Sequence, residues 1–308
     1  MSKRVAVLMG GFSVEREVSL KSGAAAAAAL ERAGYAVATM DVRRDARILV
    51  AGLEAIQPDV VFNALHGRYG EDGAVQGVLD IMKLPYTHSG LLASALAMNK
   101  PAAKALFAAA GIPVAESRVV HKNEILKGDV MARPYVLKPL NEGSSVGVHI
   151  VREGDNAQPL NENDWPFGEW VMAERFIPGR EVTVAVMGDR PLGVTEIVSD
   201  RDFYDYTAKY STGGSRHLVP APLPEADFAE AQRLALLAHQ CLGCRGVSRA
   251  DLRYDDTRPG EPARFYMLEV NTQPGLTETS LVPEQAAHAG IPFEELMTWM
   301  VENAQCDG

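Results

Sequence analysis

The chain has few cysteines, fewer basic than acidic residues and no long hydrophobic run. Three cysteines in 308 residues, an odd number, argue against a disulfide framework. Forty acidic residues against 30 lysines and arginines give a net charge of −10, which disfavours a general binder of nucleic acids or anionic membranes. The longest strongly apolar stretch, around Gly90–Met98, is too short to span a bilayer. We therefore expect a cytoplasmic protein that binds neither nucleic acid nor membrane.

Strand-like and helix-like segments alternate over the N-terminal third of the chain. Val5–Met9, Val37–Val42 and Val60–Leu65 are short apolar runs, and loops containing glycine follow the first and the third. An alanine-rich helical run lies between the first two, with Ser13 as its expected N-cap and Gly34 as its stop. This alternation predicts a parallel α/β domain whose ligands bind at the carboxyl ends of the strands.

The pattern changes near residue 99, after which short strand-like segments separated by glycine, proline and asparagine predominate. Such segments are typical of an antiparallel α+β module. A helical run, Asp227–Leu242, precedes two further strand-like segments, Val247–Tyr254 and Arg264–Asn271, and a last helix is expected near Pro292–Asn303. The predicted fold class is therefore α/β followed by α+β.

The clearest sign of a functional site is the pair of strand-like segments near residues 250 and 270. Successive strand residues point to opposite faces, so Arg249 and Asp251 share one face, as do Glu269 and Asn271. If the strands pair, two carboxylates and an amide oxygen converge, which are ligands suited to Mg²⁺ or Mn²⁺ bridging phosphates. The alternative is the solvent face of a hairpin, with Arg249 paired to a carboxylate. The opposite, core-facing side is expected to hold Ala250, Leu252, Tyr266, Leu268 and Val270.

A second candidate is the segment Asn141–Gly147, which directly follows a strand carrying Lys138. Its two glycines allow backbone N–H groups to turn toward an anion, Ser144 and Ser145 add hydroxyl groups, and the lysine adds a positive charge. The spacing is not that of a P-loop, because no lysine follows at the second glycine. The segment is either a phosphate-binding loop or a flexible hairpin turn.

A third candidate is the polar loop Asp205–Arg216, which contains two basic residues and paired glycines. A loop of this length and charge is either a lid that closes over an anionic ligand or a solvated surface loop.

Single residues with weaker patterns complete the set of candidates. Glu15 follows the glycines after the first strand and His66 follows the third strand, so each is either functional or merely structural. Cys241 and Cys244 have the spacing of redox or zinc motifs, yet no second Cys or His pair accompanies them. We expect these two cysteines to be buried or half-buried thiols.

Together, these motifs resemble those of the D-alanine–D-alanine ligases of the ATP-grasp superfamily. The match extends from end to end, and seven segments in the family's order are far more specific than any one of them. The matching segments are Gly10–Ser19, His66–Gly77, Lys138–Gly147, Glu174–Thr183, Asp205–Tyr210, Ser248–Asp251 and Glu269–Ser280.

The resemblance implies a fold of three domains. Residues 1–98 would form the N-terminal α/β domain, and residues 99–187 and 188–308 the central and C-terminal domains of an ATP-grasp fold, with ATP held between these two. It also implies the ATP-dependent ligation of two D-alanines through a D-alanyl phosphate, for peptidoglycan synthesis, by a homodimer.

The resemblance further assigns the residues that bind ATP and metal. Asp251, Glu269 and Asn271 would hold two divalent ions, Mg²⁺ or Mn²⁺. Lys100 and Lys138 would bind the phosphates of ATP, and Ser144, Ser145 and Gly147 would belong to the loop that closes over them. Glu174 and Ile177 would lie at the adenine, Glu181 at the ribose and Lys209 at the γ-phosphate.

The amino-acid substrates are assigned by the same resemblance. Glu15 would bind the ammonium group of the first D-alanine, with His66 nearby, and Ser280 would bind the carboxylate of the second. Arg249 and the Gly275 amide would stabilise the tetrahedral oxyanion. A hydrogen-bonded trio linking the three domains would consist of Glu15, Ser145 and Tyr210.

Two departures from the family pattern concern Arg152–Glu169, which is shorter and less helical than usual, and Thr207, which occupies a position where an acid is common. Tyr210 favours the dipeptide over a D-alanyl-D-lactate ester, because ester-forming members carry phenylalanine there. The other alternative is an ATP-grasp protein that binds nucleotide without turnover. The presence of Arg249 together with Lys209 and Glu15 disfavours it, since a pure binder needs no oxyanion donor.

Overall fold

The computed structural model describes residues 2–143, 146–155, 160, 165–199 and 215–307. Ser144, Ser145, Lys209 and Tyr210, for which the sequence predicts roles in the site, lie outside the described residues, as do Thr207 and most of the predicted lid. Within the described ranges, no helix combines the length and apolar character that a bilayer crossing needs.

The N-terminal part is a parallel α/β unit, as predicted. Its described strands pair in the order β2-β1-β3, and both pairings of β1 are parallel. The first helix begins at Arg16 with Glu15 at the N-cap, so the prediction that Ser13 is the N-cap is wrong. The Ser13 hydroxyl instead donates to the carbonyl of His66, 2.7 Å away, and thereby joins the loops that follow β1 and β3. The elements are β1 (Arg4–Gly10), α1 (Arg16–Arg32), β2 (Ala36–Val42), α2 (Ala46–Ile56), β3 (Val60–Asn63), α3 (Ala74–Ile81) and α4 (Leu91–Met98).

The middle part of the chain begins with a helix that packs on the C-terminal sheet and continues into an antiparallel sheet with strand order β4-β7-β5-β6. That helix, α5, is capped by the Asn99 side chain, which accepts the N–H of Ala102, and has proline in its first turn. The elements of this part are α5 (Lys100–Ala109), β4 (Ser117–His121), α6 (Lys122–Ile125), β5 (Tyr135–Lys138), β6 (His149–Val151) and β7 (Trp170–Arg175).

The C-terminal part is built on an antiparallel sheet with strand order β10-β9-β8-β11-β12. Helix α7 and the earlier α5 pack on this sheet in one hydrophobic core. The elements are β8 (Arg180–Met187), β9 (Arg190–Ser199), β10 (Ser215–Leu218), α7 (Glu225–Cys241), β11 (Val247–Asp255), β12 (Arg264–Asn271), α8 (Leu281–His288) and α9 (Phe293–Glu302).

Strand β8 is part of the five-stranded C-terminal sheet. Its residues were predicted within the central domain of residues 99–187, yet β8 pairs with β9 and β11 of the C-terminal sheet. The change of sheet therefore falls between β7 and β8, although the domain limits themselves stay a prediction. Alternation of apolar residues indicates a strand but not its partner, which explains the difference.

The last helix closes the chain onto its beginning. Leu296, Met297 and Met300 of α9 share a hydrophobic core with Val5 and Val7 of β1. After the helix, the backbone of residue 305 pairs with that of residue 86, beside β3. This packing fixes the N-terminal unit against the C-terminal part. It thereby also fixes two walls of the cleft described below relative to each other.

Gly179, in the turn between β7 and β8, is a position where we expect a side chain to be strongly destabilising. Its φ is +92°, and a Cβ there would overlap the carbonyl oxygen of Tyr254 and lie 3.0 Å from the Cα of Asp255. Gly179→Ala should lower the free energy of unfolding by about 3 kcal/mol in urea denaturation. Gly290 is the control, because its φ is +81° but no atom lies within 4 Å of the added Cβ. Gly290→Ala should cost only about 1 kcal/mol, and equal losses would contradict the steric argument.

Candidate active site

A cleft of about 480 Å³ brings together residues from the three parts of the chain. Its walls come from α1 and the loop after β3, from the loop after β5, and from the facing strands β11 and β12 with the segment that follows them. All described residues that the sequence predicts to bind substrate or metal line this cleft, namely Glu15, His66, Arg249, Asp251, Glu269, Asn271, Gly275 and Ser280. Lys100 and Glu181, which are predicted to bind ATP, line it as well.

A narrower slot adjoins this cleft and shares five of its lining residues, Lys100, Glu142, Glu181, Asp251 and Glu269. The slot lies between the four-stranded and five-stranded sheets, and Lys138 and Glu174 are among its polar residues. A slot with an apolar wall that opens into a polar cleft suits a ring joined to a charged chain. Its apolar lining consists of Val136, Pro139, Val146, Val148, Phe176, Ile177 and Leu268.

The predicted pairing of the two site strands is confirmed. Asp251 lies opposite Glu269 and Arg249 opposite Asn271. Arg249 donates through Nε and Nη2 to the two carboxylate oxygens of Asp251, at 2.8 and 2.7 Å. The side chains of Arg249 and Asp251 are only 13% and 10% exposed, so this face is the floor of a cleft and not a solvent face.

A β-bulge alters the alternation that the sequence predicted for β12. The register shifts after Asp251, so that Leu252 faces Met267 and Leu268 is the extra residue. Met267, with Phe265 and Val270, packs in the core, whereas Leu268 lines the slot. The prediction that Tyr266 and Leu268 share the core face with Val270 is therefore wrong, while Ala250 and Leu252 are in the core as predicted.

The oxygen atoms of this face have hydrogen-bond or ion-pair partners in the protein. Glu269 Oε2 lies 2.9 Å from the Nζ of Lys100, and the Oδ1 of Asn271 accepts the N–H of Gln273 at 2.8 Å. Among the described residues, no group of three or more His, Cys, Asp or Glu side chains is arranged to hold a metal ion. Two carboxylates and an amide oxygen keep further lone pairs and fit the donor chemistry of Mg²⁺ or Mn²⁺.

Glu174 lies buried between two lysines. Its Oε1 accepts from the Nζ of Lys138 at 2.9 Å and its Oε2 from the Nζ of Lys104 at 2.7 Å. Burial raises the pKa of this carboxyl, but the two positive charges outweigh burial, and the net direction is downward. Glu174 is therefore an ionised acceptor that lines the slot. Lys138, which the sequence predicts to bind the phosphates, contacts Glu174 in this structure.

Glu15 and His66 lie side by side at the carboxyl ends of β1 and β3. Adding a Cβ to Gly67 or Gly143 would place it 2.9 or 3.5 Å from the Oε2 of Glu15, so this carboxylate lies close to both loops. His66 Nδ1 is 3.0 Å from the carbonyl of Gln273, and Nε2 is 3.1 Å from the Ser22 hydroxyl. Because a carbonyl only accepts, Nδ1 carries the proton, and burial lowers the pKa of the ring, which keeps it neutral.

Gly275 and Ser280, predicted at the oxyanion and at the second substrate, lie next to each other. A Cβ on Gly275 would come 3.1 Å from the Oγ of Ser280. Ser280 is the N-cap of α8, and its hydroxyl also accepts the N–H of Thr277 at 3.0 Å. The start of a helix favours an anion, which suits the carboxylate expected there.

Comparison with known proteins gives the family. Residues 50–89 match the family model described as D-ala D-ala ligase N-terminus, and residues 106–302 match D-ala D-ala ligase C-terminus. A D-alanine–D-alanine ligase of Paramagnetospirillum magneticum is 67% identical over 308 residues, which cover 100% of both chains. One of Rhodospirillum rubrum is 66% identical over 307 residues, again 100% of both. The chain belongs to the D-alanine–D-alanine ligase family.

Solved structures of similar ligases have the same fold. The Bacillus anthracis ligase in complex with ATP superposes with a TM-score of 0.82 at 29% identity, covering 98% of this chain and 97% of that one. The VanG D-Ala:D-Ser ligase of Enterococcus faecalis gives a TM-score of 0.80 at 28% identity, with 98% and 99% covered. The predicted family and the ATP-grasp fold class are therefore confirmed.

Two buried residues of this family member were not predicted at the site. Lys104, the second partner of Glu174, follows Lys100 by one helical turn on the buried face of α5. A lysine repeated at this spacing within an apolar stripe was the available signal. Glu71 lines the cleft, and burial raises the pKa of its carboxyl well above the ordinary value, with the negative charge of Glu15 adding to the shift.

The cysteine pair shows no sign of activation. Burial raises the pKa of Cys244 to about 12 and also raises that of Cys241, so neither thiol is poised for redox chemistry. Both are half-buried free thiols, as expected from the sequence.

Proposed function

We propose that this chain joins two D-alanines to D-alanyl-D-alanine with ATP, through a D-alanyl phosphate, for peptidoglycan synthesis in the cytoplasm. The observation that carries the proposal is the continuity of the slot between the two antiparallel sheets with a cleft that is lined by Glu15, Arg249 and Ser280. Full-length relatives at 66–67% identity that are named D-alanine–D-alanine ligases support it.

The first step transfers the γ-phosphoryl group to the carboxylate of the first D-alanine. The carboxylate oxygen attacks phosphorus while the bond to the bridging oxygen of ADP breaks. Lys100 and Lys138 bind the phosphates, and Glu15 holds the substrate ammonium so that its carboxylate faces them. Asp251, Glu269 and Asn271 would hold two divalent ions, Mg²⁺ or Mn²⁺. When bound, these ions would offset the repulsion between the triphosphate and the substrate carboxylate.

In the second step, the amine of the second D-alanine attacks the acyl carbon. The negative charge then moves to the former carbonyl oxygen, where the Arg249 guanidinium and the Gly275 N–H are expected to stabilise it. Phosphate leaves as the carbonyl re-forms, and it takes up the proton that the nitrogen loses. Ser280 at the start of α8 binds the carboxylate of this substrate, which orients its amine toward the acyl carbon.

Phosphate release from ATP and Mg²⁺ tests this function, measured with D-alanine, L-alanine, D-lactate or no acceptor. We expect release that depends on D-alanine, with D-alanyl-D-alanine as the product identified by mass spectrometry. Phosphate release that does not depend on D-alanine would refute the ligase function. A preference for D-lactate at neutral pH would show that the product is the ester and not the dipeptide.

We further propose that the chain forms a homodimer through its N-terminal unit. Helices α3 and α4 expose Ile81 and Leu92 at 85% and 66%, beside Leu91, and these three side chains line one open groove. Exposed apolar side chains grouped in this way mark an association surface, and the resemblance points to a second copy of the chain.

Charges placed on this apolar surface should separate the two copies. We expect the double variant Ile81→Glu, Leu92→Glu to sediment as a monomer at micromolar concentration, where the wild type sediments as a dimer. Val119→Glu, at an exposed position of β4, is the control and should stay dimeric. A double variant that remains a dimer would place the interface elsewhere.

A further inference from the structure

Lys104 is a buried cation that lies behind the slot. Its side chain is 5% exposed, and it lines neither the cleft nor the slot. Its Nζ donates to Glu174 Oε2 at 2.7 Å and to the carbonyl of Ala115 at 2.8 Å. Neighbours on the same face of α5, Ala103 and Phe107, pack in the core and hold the lysine in place. Lys104 is therefore fixed on Glu174 from the side away from the ligand.

The two lysines on Glu174 differ in what they can do. Lys138 lines the slot, and under the proposed function it binds a phosphate, which draws it away from the carboxylate. Lys104 has no access to the slot and keeps its contacts with Glu174 and Ala115. In the nucleotide complex, Lys104 is thus the cation that remains on the buried carboxylate. A carboxylate left alone at such a site would take up a proton, since burial disfavours its charge.

We infer that Lys104 is a positioning residue that selects the nucleotide base, because it keeps Glu174 ionised and hence an acceptor only. This inference rests on the proposed function, in which the purine ring of ATP occupies the slot. An ionised carboxylate accepts hydrogen bonds but donates none. Adenine presents an amino group at position 6, which donates, whereas a 6-oxo purine presents an acceptor there. With Lys104 in place, the site favours the first and repels the second.

The test compares ATP with ITP, which carries the 6-oxo group, in Lys104→Met and in wild type. Both kcat/KM for D-alanine-dependent phosphate release and equilibrium binding of each nucleotide with Mg²⁺ are measured from pH 6 to 9. We expect wild type to favour ATP by at least about tenfold at every pH. In Lys104→Met the preference should fall about tenfold at pH 6 and return partly by pH 9, because a protonated Glu174 donates to the oxo group and an ionised one does not.

Controls separate base selection from a loss of packing. Lys104→Arg keeps the charge and should retain the preference for ATP. Phe107→Leu removes packing on the same face of α5 and should lower the melting temperature without changing the ATP to ITP ratio. If Lys104→Met folds poorly, Glu174→Gln gives the same test, since its amide both donates and accepts and should bind the two nucleotides about equally.

A Lys104→Met enzyme with the wild-type ratio at all pH values would overturn the inference and leave Lys104 a structural residue. A wild type that does not discriminate between the nucleotides would overturn it as well, with the ligase activity intact. Failure of the proposed function looks different, because the wild type would then release no phosphate in response to D-alanine, while nucleotide binding would still report the base preference.

Discussion

Replacing Glu269 with glutamine should reduce turnover about a thousandfold while the protein stays folded. The carboxylate lies 2.9 Å from Lys100 and faces Asp251 across the strand pair, where the metal ions are expected. Glutamine has the same shape and still accepts from Lys100, but it removes one of two negative charges from the ligand set. A loss of about 4 kcal/mol in transition-state stabilisation corresponds to about a thousandfold in rate.

The measurement is D-alanine-dependent phosphate release at saturating ATP and Mg²⁺, together with thermal unfolding. Glu261→Gln is the matched control, because Glu261 is an exposed acid in the turn that precedes β12. The control should keep both its activity and its melting temperature. Near-normal turnover in Glu269→Gln would refute the metal role, and unfolding of that variant alone would show that the carboxylate is needed for the fold.

Arg249→Lys should lower kcat by about two to three orders of magnitude with small changes in KM. Lysine keeps the positive charge but cannot reproduce the two parallel hydrogen bonds that Arg249 makes to Asp251. The charge would then be displaced from the position where the oxyanion forms. Removing one donor to an oxyanion costs about a hundredfold to a thousandfold.

Steady-state kinetics distinguish this role from simple binding. An interaction made only in the transition state lowers kcat and kcat/KM together. A raised KM for D-alanine with unchanged kcat would therefore contradict the oxyanion role. Arg264→Lys, at the exposed first position of β12, is the control and should behave as wild type in both parameters.

The residues of the site were predictable where a local rule connects sequence to position. Alternation along a strand placed Arg249 with Asp251 and Glu269 with Asn271, and the register of β11 and β12 agrees. The same rule failed at Leu268, because a bulge adds one residue and reverses the faces before it. Nothing in the local pattern of β12 signals the bulge.

Contacts between distant segments were beyond the sequence. The apolar run of β8 showed a strand but not that it would pair with β11, and Lys104 showed no link to Glu174, seventy positions later. The core shared by α9 and β1 is of the same kind. Such contacts depend on the whole chain path, which a window of a few residues does not contain.

That shared core has a consequence for biosynthesis on the ribosome. The α/β unit is translated first, yet Val5, Val7 and Phe62 are covered in part by residues from Leu296 to Val301. Until translation reaches α9, this apolar surface stays open to water and to chaperones. Nascent chains stalled before residue 293 should therefore be degraded more readily than complete ones.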